Sequence, residues 1–357
     1  MSLERQLLNK NEITEYIKAV KGNGLAEEQL NILWCLINSC PCVVTGGAGV
    51  GKTTVIKNII DCYAMHYSRK HILLIAPTGK ASRRLAEKTE MPASTIHKAL
   101  RKNPEDDYVY YSDKKPLPHR LIIVDESSMI DTELMYDLLK AADNTSKVIF
   151  VGDHNQLYPV GYGEPFFDFM KTLRVYRLTV NHRQADGTDI LKAARNVLNG
   201  EEVINGNGVV VRHITYQDIG GILTSDDNVQ IISPYNALNF QINDYLKKGD
   251  DCLNVGDKVM MTKNTQKYCN GDIGIITKID AKNNISVNIE GTTVIIKNTH
   301  KSDITLAYAI TIHKMQGSES DKVIVFIPEN DTLVDKRMMY TAITRAKKEL
   351  EIYYYRD

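Results

Sequence analysis

No apolar run in this chain is long enough to cross a membrane: the longest, "ILLIA" and "VIVFI", have the length of strands. The amino terminus sets Glu4 and Arg5 among scattered leucines where a secretory leader would carry an apolar core. The chain is therefore expected to stay in the cytoplasm, the host's if it is phage- or virus-encoded. Metal-ligand spacing is also missing. Cys35, Cys40 and Cys42 cluster without the paired geometry of a zinc site, so the six cysteines are read as buried thiols and no structural metal is expected. Net charge is lacking too, because 44 Lys plus Arg balance 44 Asp plus Glu. That excludes a global basic field; a nucleic-acid partner would have to be drawn by local basic tracks.

What is present is room for two or three packed units in 357 residues, and an alternation of elements. Short Val/Ile/Leu runs at "CVVTG", "HILLIAP", "LIIVDE" and "VIFVGD" alternate with helical stretches, the pattern of parallel strands covered on both faces by crossover helices. A second set, "VVVRHI", "VQIISPY", "LAYAITIH", "KVIVFIP" and "LEIYYY", repeats the style. The expected fold class is thus α/β, with two parallel-sheet lobes: residues 25–100 and 119–167 form the first, 168–247 and 306–357 the second, and 1–24 a helical segment ahead of them. Residues 248–305 alternate apolar and polar positions with Asn/Gly turns and read as a small β-barrel inserted in the second lobe. Residues 101–118, rich in Tyr and flanked by Pro and charge, read as a β-hairpin protruding from the first.

In "VVTGGAGVGKTTVI" a strand breaks into glycines and resumes as a helix, matching G-x-x-x-x-G-K-[ST] at Gly46, Gly51, Lys52 and Thr53. The backbone N–H groups of Gly46, Gly47, Ala48, Gly49, Val50 and Gly51, continuing into Thr54, are expected to wrap the phosphates of ATP. Lys52 reaches the β and γ oxygens and Thr53 holds Mg²⁺. In "LIIVDESSMID", Asp125 follows a buried strand, where it can hold the same Mg²⁺, and Glu126 can orient and deprotonate the attacking water. Gln156 follows the strand of "VIFVGDHNQLYPV" and is a candidate sensor of the γ-phosphate, as are Arg183 in "LTVNHRQ" and Arg345 in "YTAITRAKK".

Read in order, "LAEEQ", "GGAGVGKTT", "APTGKAS", "STIHKAL", "VDESSM", "GDHNQL", "NHRQ", "YAITIHKMQGSE" and "YTAITRAKK" resemble the motif series of superfamily 1 helicases, in the RecD/Dda branch, from about residue 25 to the carboxyl end. The stretch "GDKVMMTKN…NGDIG" is similar to the SH3-like insert of their second motor lobe. The resemblance implies two RecA-like lobes, with Gln29 on the adenine, Gln156, Arg183 and Arg345 on the γ-phosphate, and Glu319 at the ribose or coupling nucleotide to DNA. It implies ATP-driven movement along single-stranded DNA, 5′ to 3′, toward a fork duplex, by a chain compact enough to act as a monomer.

The track is expected on Pro77, Thr78, Gly79 and Lys80, which open a helix carrying Arg83 and Arg84, on Thr95, His97 and Lys98, and on Thr311, His313, Lys314 and Gln316. Tyr108, Tyr110 and Tyr111 of the hairpin could stack at the duplex junction, although Glu105, Asp106 and Asp107 beside them would repel phosphate. Three alternatives stay open at this level: an RNA helicase of the same superfamily, an ATP-switched single-strand-binding clamp that does not unwind, and a P-loop kinase.

Overall fold

The structure is a computed structural model that describes residues 7–22, 24–102, 108–180, 188–248, 253–265 and 267–356. The chain folds as two units, Met1–Ala185 and Asp186–Asp357.

The first unit opens with α1 (Lys10–Val20), whose Asn9 and Glu12 form a reciprocal capping box, and α2 (Glu27–Ile32). Six strands follow, β1 (Cys42–Gly46), β2 (Ile72–Ala76), β3 (Ala93–Thr95), β4 (Leu121–Val124), β5 (Lys147–Gly152) and β6 (Arg174–Leu178), all parallel in the order β3-β2-β4-β5-β1-β6. Between them run α3 (Lys52–Ala64), α4 (Gly79–Thr89), α5 (Ile96–Leu100), α6 (Thr132–Ala141) and α7 (Pro165–Thr172). Because side chains alternate along a strand, each strand feeds two cores. Val44, Ile123 and Ile149 pack on one face with Ile13 of α1 and Val55 and Ile59 of α3. Val43, Ile122, Val124 and Phe150 pack on the other with Ile96 of α5, Leu138 of α6 and Phe166 of α7. This double burial is why the strands read as continuous apolar runs.

The second unit carries α8 (Ile190–Asn199), β7 (Val209–Thr215), β8 (Val229–Ser233) and α9 (Asn236–Leu246) before an interruption, and β14 (Ala309–Thr311), β15 (Ser320–Pro328), α10 (Lys336–Ile343) and β16 (Ala346–Arg356) after it. Its parallel sheet runs β14-β8-β15-β16-β7. The interruption is a separate antiparallel sheet of β9 (Lys258–Met261), β10 (Ile273–Ile279), β11 (Ile285–Ile289), β12 (Thr292–Ile296) and β13 (Ile304–Leu306), in the order β12-β11-β10-β9-β13. Val259, Ile276, Val287, Val294 and Ile304 close its own core. Gly274 in β10 is required by close approach: a Cβ there would stand 2.4 Å from the Asn288 carbonyl oxygen.

Three differences from the sequence-based expectations have physical causes. The lobe boundary expected at residue 168 falls too early, since β6 pairs with β1 along its whole length; its mixed "RVYRL" pattern belongs to an exposed edge strand. The inserted sheet is an open series of strands among the described residues, with β12 and β13 as its two edges. In the expected hairpin at 101–118, the described residues pair only as isolated bridges, Lys102 with Val109 and Ser112 with Lys115; residues 103–107, with the acidic cluster, lie outside the described residues. Among the described residues no helix is long and apolar enough to cross a membrane.

Candidate functional site

β1 ends at Gly46, and the chain turns through Gly47–Gly51 into α3, with Gly49 at φ +79° and Gly51 at φ +83°, backbone conformations that glycine adopts without strain. Gly46 is fixed by contact as well. A Cβ on it would lie 2.7 Å from Val50 Cγ2 and 2.8 Å from the Leu178 carbonyl oxygen, so the loop and β6 close around a backbone with no side chain. Lys52, the first residue of α3, donates from Nζ to the carbonyls of Gly46 (2.8 Å) and Gly47 (2.9 Å) and stands 3.9 Å from Asp153 Oδ2. Its ammonium is thereby held over the loop at the positive end of a thirteen-residue helix, where the first-turn N–H groups of Thr53 and Thr54 also point.

Asp125 and Glu126 follow β4 at the same carboxyl edge of the sheet. Glu126 adopts φ +50°, an uncommon conformation for a side chain of its size, and its backbone N–H donates to Asp125 Oδ1 at 2.9 Å. Burial, and then the neighbouring Glu126 charge, pushes the Asp125 carboxyl up to about 7, against the Glu126 N–H and the cations Lys52 and Lys88. Glu126 Oε2 is buried with no hydrogen-bond partner among the described residues. An ionisable pair left so incomplete at the mouth of a phosphate loop fits a hydrated divalent cation and a nucleotide phosphate: the cation would stabilise the Asp125 carboxylate, and a water would satisfy Glu126. Asp125 and Thr53 are the residues that would hold Mg²⁺.

Gln156 is buried, and its backbone N–H donates to the Asp153 carbonyl at 3.3 Å. Gln29 is also buried; its Oε1 accepts from the Ala26 N–H at 3.1 Å, so its amide N–H group is the part it can offer a base. Sequence reading missed three residues here. Asp153 is fully buried beside Lys52, and its only sequence signal was an acid at a strand end. His154 Nδ1 lies 2.9 Å from Thr45 Oγ1 under the loop. The Glu28 carboxylate accepts from the Thr179 N–H and hydroxyl and the Val180 N–H at 2.8–3.0 Å, fastening the chain that leaves β6. Nothing in a single sequence marks that last contact.

Of the expected track, Thr78 caps α4 by accepting from the Ala81 N–H (3.2 Å), and Thr95 caps α5 by accepting from the Lys98 N–H (3.2 Å). Both hydroxyls therefore build the helix starts, and Pro77, Gly79 and Lys80 lie in the same turn as Thr78. His97 is exposed to solvent at its surface, yet partial desolvation, together with Lys102, lowers its imidazole pKa against Asp131, Asp137 and Glu133. Tyr108 is exposed. Tyr110 has the Lys115 ammonium and the Arg101 guanidinium at 3.8 and 4.9 Å from its ring centre, and Tyr111 packs against the core, so the three tyrosines do not form one free stacking face.

In the second unit, Thr311 and Gln316 are buried, Lys314 is exposed, and the Lys314 N–H donates to Thr311 Oγ1 at 3.3 Å. Burial lowers the His313 imidazole pKa, so it is neutral at pH 7. Gln316 Nε2 is buried with no acceptor among the described residues. Arg345 is buried at the end of α10, donating to Thr341 O (2.9 Å), Ser318 O (3.1 Å) and Thr344 Oγ1 (3.1 Å). The "QGSE" turn that carries Glu319 is thereby joined to the arginine motif. Arg183 lies outside the described residues.

A family described as an AAA domain matches residues 29–162, and one described as a UvrD-like helicase C-terminal domain matches residues 306–353. The ATP-dependent RecD2 DNA helicase of Deinococcus radiodurans is 31% identical over 353 residues, covering 91% of this chain and 48% of that protein. The RecBCD enzyme subunit RecD of Buchnera aphidicola is 26% identical, covering 91% of this chain and 72% of its own length. The structure of a Bacteroides Pif1 helicase in complex with ADP-AlF3 and single-stranded DNA superimposes with a TM-score of 0.62 at 22% identity over 92% of each chain, a likeness of fold. The chain spans about half the length of the RecD2 relative it matches.

Proposed function

Because the chain is a homologue of the RecD and RecD2 helicases of superfamily 1, we propose that it is an ATP-dependent DNA helicase, moving 5′ to 3′ on single-stranded DNA and separating strands at a fork. One observation carries the reading: Lys52, Asp125, Glu126 and Asp153 converge at the carboxyl edge of one parallel sheet. That arrangement is suited to holding a triphosphate and activating a water. When bound, Mg²⁺ would neutralise phosphate charge. The chain's own residues do the rest: the loop amides and Lys52 hold the β and γ oxygens, Asp125 stays ionised toward the cation, and Glu126 Oε2 takes the proton of the attacking water. Arg183 and Arg345 supply guanidinium groups to the γ-phosphate.

In this reading β9–β13 serve as the SH3-like insert, and Tyr108 in the 101–118 segment meets the duplex junction. Deleting Gly256 to Asn298 should abolish unwinding and leave DNA-stimulated ATP turnover. The protein acts as a monomer in the cytoplasm. The test is ATP turnover with single-stranded DNA, single-stranded RNA or neither: strong stimulation by DNA supports the proposal, RNA-selective stimulation replaces it with an RNA helicase, and turnover indifferent to both removes the motor.

A further inference from the structure

Behind the phosphate loop, on the opposite end of β1, lies a group of side chains that nucleotide chemistry does not use. Lys147, the first residue of β5, is only 2% exposed. Its ammonium donates to the Cys40 carbonyl and to the Cys42 thiol, and among the described residues no carboxylate reaches it. A buried ammonium with no carboxylate beside it favours the ionised form of a neighbouring acid. The acids within reach are thiols. Cys42 (2% exposed) and Cys35 (3% exposed) are hydrogen-bonded to each other, and both line a cavity of about 90 Å³ with Lys147, Arg174 and Tyr176. That space accommodates a molecule of water size or a little larger.

We propose that Cys42 and Cys35 are a peroxide-reactive thiolate and its resolving thiol, forming a reversible intramolecular disulfide. The Cys35 S–H first, and then the cations Lys147 and Arg174, favour the Cys42 anion and lower its pKa against the burial that opposes it, whereas the Cys35 pKa is raised, so the proton settles on Cys35. The oxidant is hydrogen peroxide. The Cys42 thiolate attacks one peroxide oxygen; the O–O bond breaks, an S–O bond forms, sulfur is oxidised by two electrons, and the departing hydroxide takes a proton to become water. Cys35 sulfur then attacks the sulfenic sulfur; the S–O bond breaks, the S–S bond forms, and the Cys35 proton leaves with hydroxide as a second water. Two thiols and one peroxide give one disulfide and two waters. Cys62 belongs to neither step: burial pushes its thiol up to about 12.

The experiment treats the reduced chain, carrying Cys40→Ser to remove the neighbouring exposed thiol, with hydrogen peroxide and maps the products by mass spectrometry. The expected product is a Cys35–Cys42 disulfide that dithiothreitol reverses. Cys35→Ser should instead leave a sulfenic acid on Cys42 that dimedone traps. Lys147→Gln should slow oxidation by about tenfold near neutral pH and recover rate as pH rises and the thiol ionises unaided, a pH dependence that a packing defect would not produce. The proposal is overturned if both thiols survive peroxide that oxidises Cys40 in the parent, or if Lys147→Gln reacts at the parent rate at every pH.

Discussion

Replacing Glu126 by Gln tests the chemical step with little structural disturbance. The side chain keeps its size, and the backbone at φ +50° strains Gln and Glu alike, so the turn at Ser127–Met129 should persist. What changes is charge. Glu126 Oε2, buried and without a partner among the described residues, can no longer accept a proton. The Asp125 carboxyl loses the second-largest influence holding it near 7 and ionises more readily, so cation and nucleotide binding should be undiminished or tighter. Removing a positioned base and its transition-state charge should lower turnover by about 10³, equivalent to about 4 kcal/mol of barrier. The assay pairs equilibrium binding of a fluorescent ATP analogue with steady-state phosphate release at saturating ATP and single-stranded DNA. Turnover within about tenfold of the parent, with binding intact, would refute the assignment and place the base elsewhere.

Lys52→Ala should remove measurable ATP binding and also lower the urea midpoint, since it takes a cation from beside the fully buried Asp153; tight binding by this variant would mean the loop alone holds the phosphates. Gly274→Ala should destabilise the inserted sheet by about 2 kcal/mol, because its Cβ meets a backbone oxygen that cannot move aside; an unchanged unfolding midpoint would show that the strands slip apart freely. His119 has its pKa lowered by burial and His71, so the unfolded chain protonates first and stability should fall as pH drops below the usual imidazole range; His119→Asn should flatten part of that slope, and parallel curves would exclude the residue. If three basic side chains such as Lys80, Arg83 and Lys314 contact phosphates, single-strand affinity should fall about twentyfold between about 50 and about 200 mM salt. A flat salt response would exclude a phosphate-reading surface.

The parallel strands were legible because burial on both faces makes them continuous apolar runs, and the phosphate loop because its glycines are demanded by φ and by contact. The inserted antiparallel strands were legible from alternation alone, since each buries one face. β6 was not, because an edge strand that exposes Arg174 and Arg177 and buries only Leu178 carries little apolar signal, and its partner β1 lies far away in sequence. The tyrosines at 108, 110 and 111 show why residue type does not fix role: one is exposed, one is held by two cations, and one packs inward. The Cys35, Cys42 and Lys147 group depended on tertiary contact across more than a hundred residues, which spacing of cysteines cannot reveal.

Forked DNA with a 5′ or a 3′ single-stranded tail, incubated with the chain and ATP, gives the most direct test of the whole account. Strand separation of the 5′-tailed fork, dependent on ATP and lost in Glu126→Gln, is the predicted result; ATP hydrolysis with neither fork opened would contradict it.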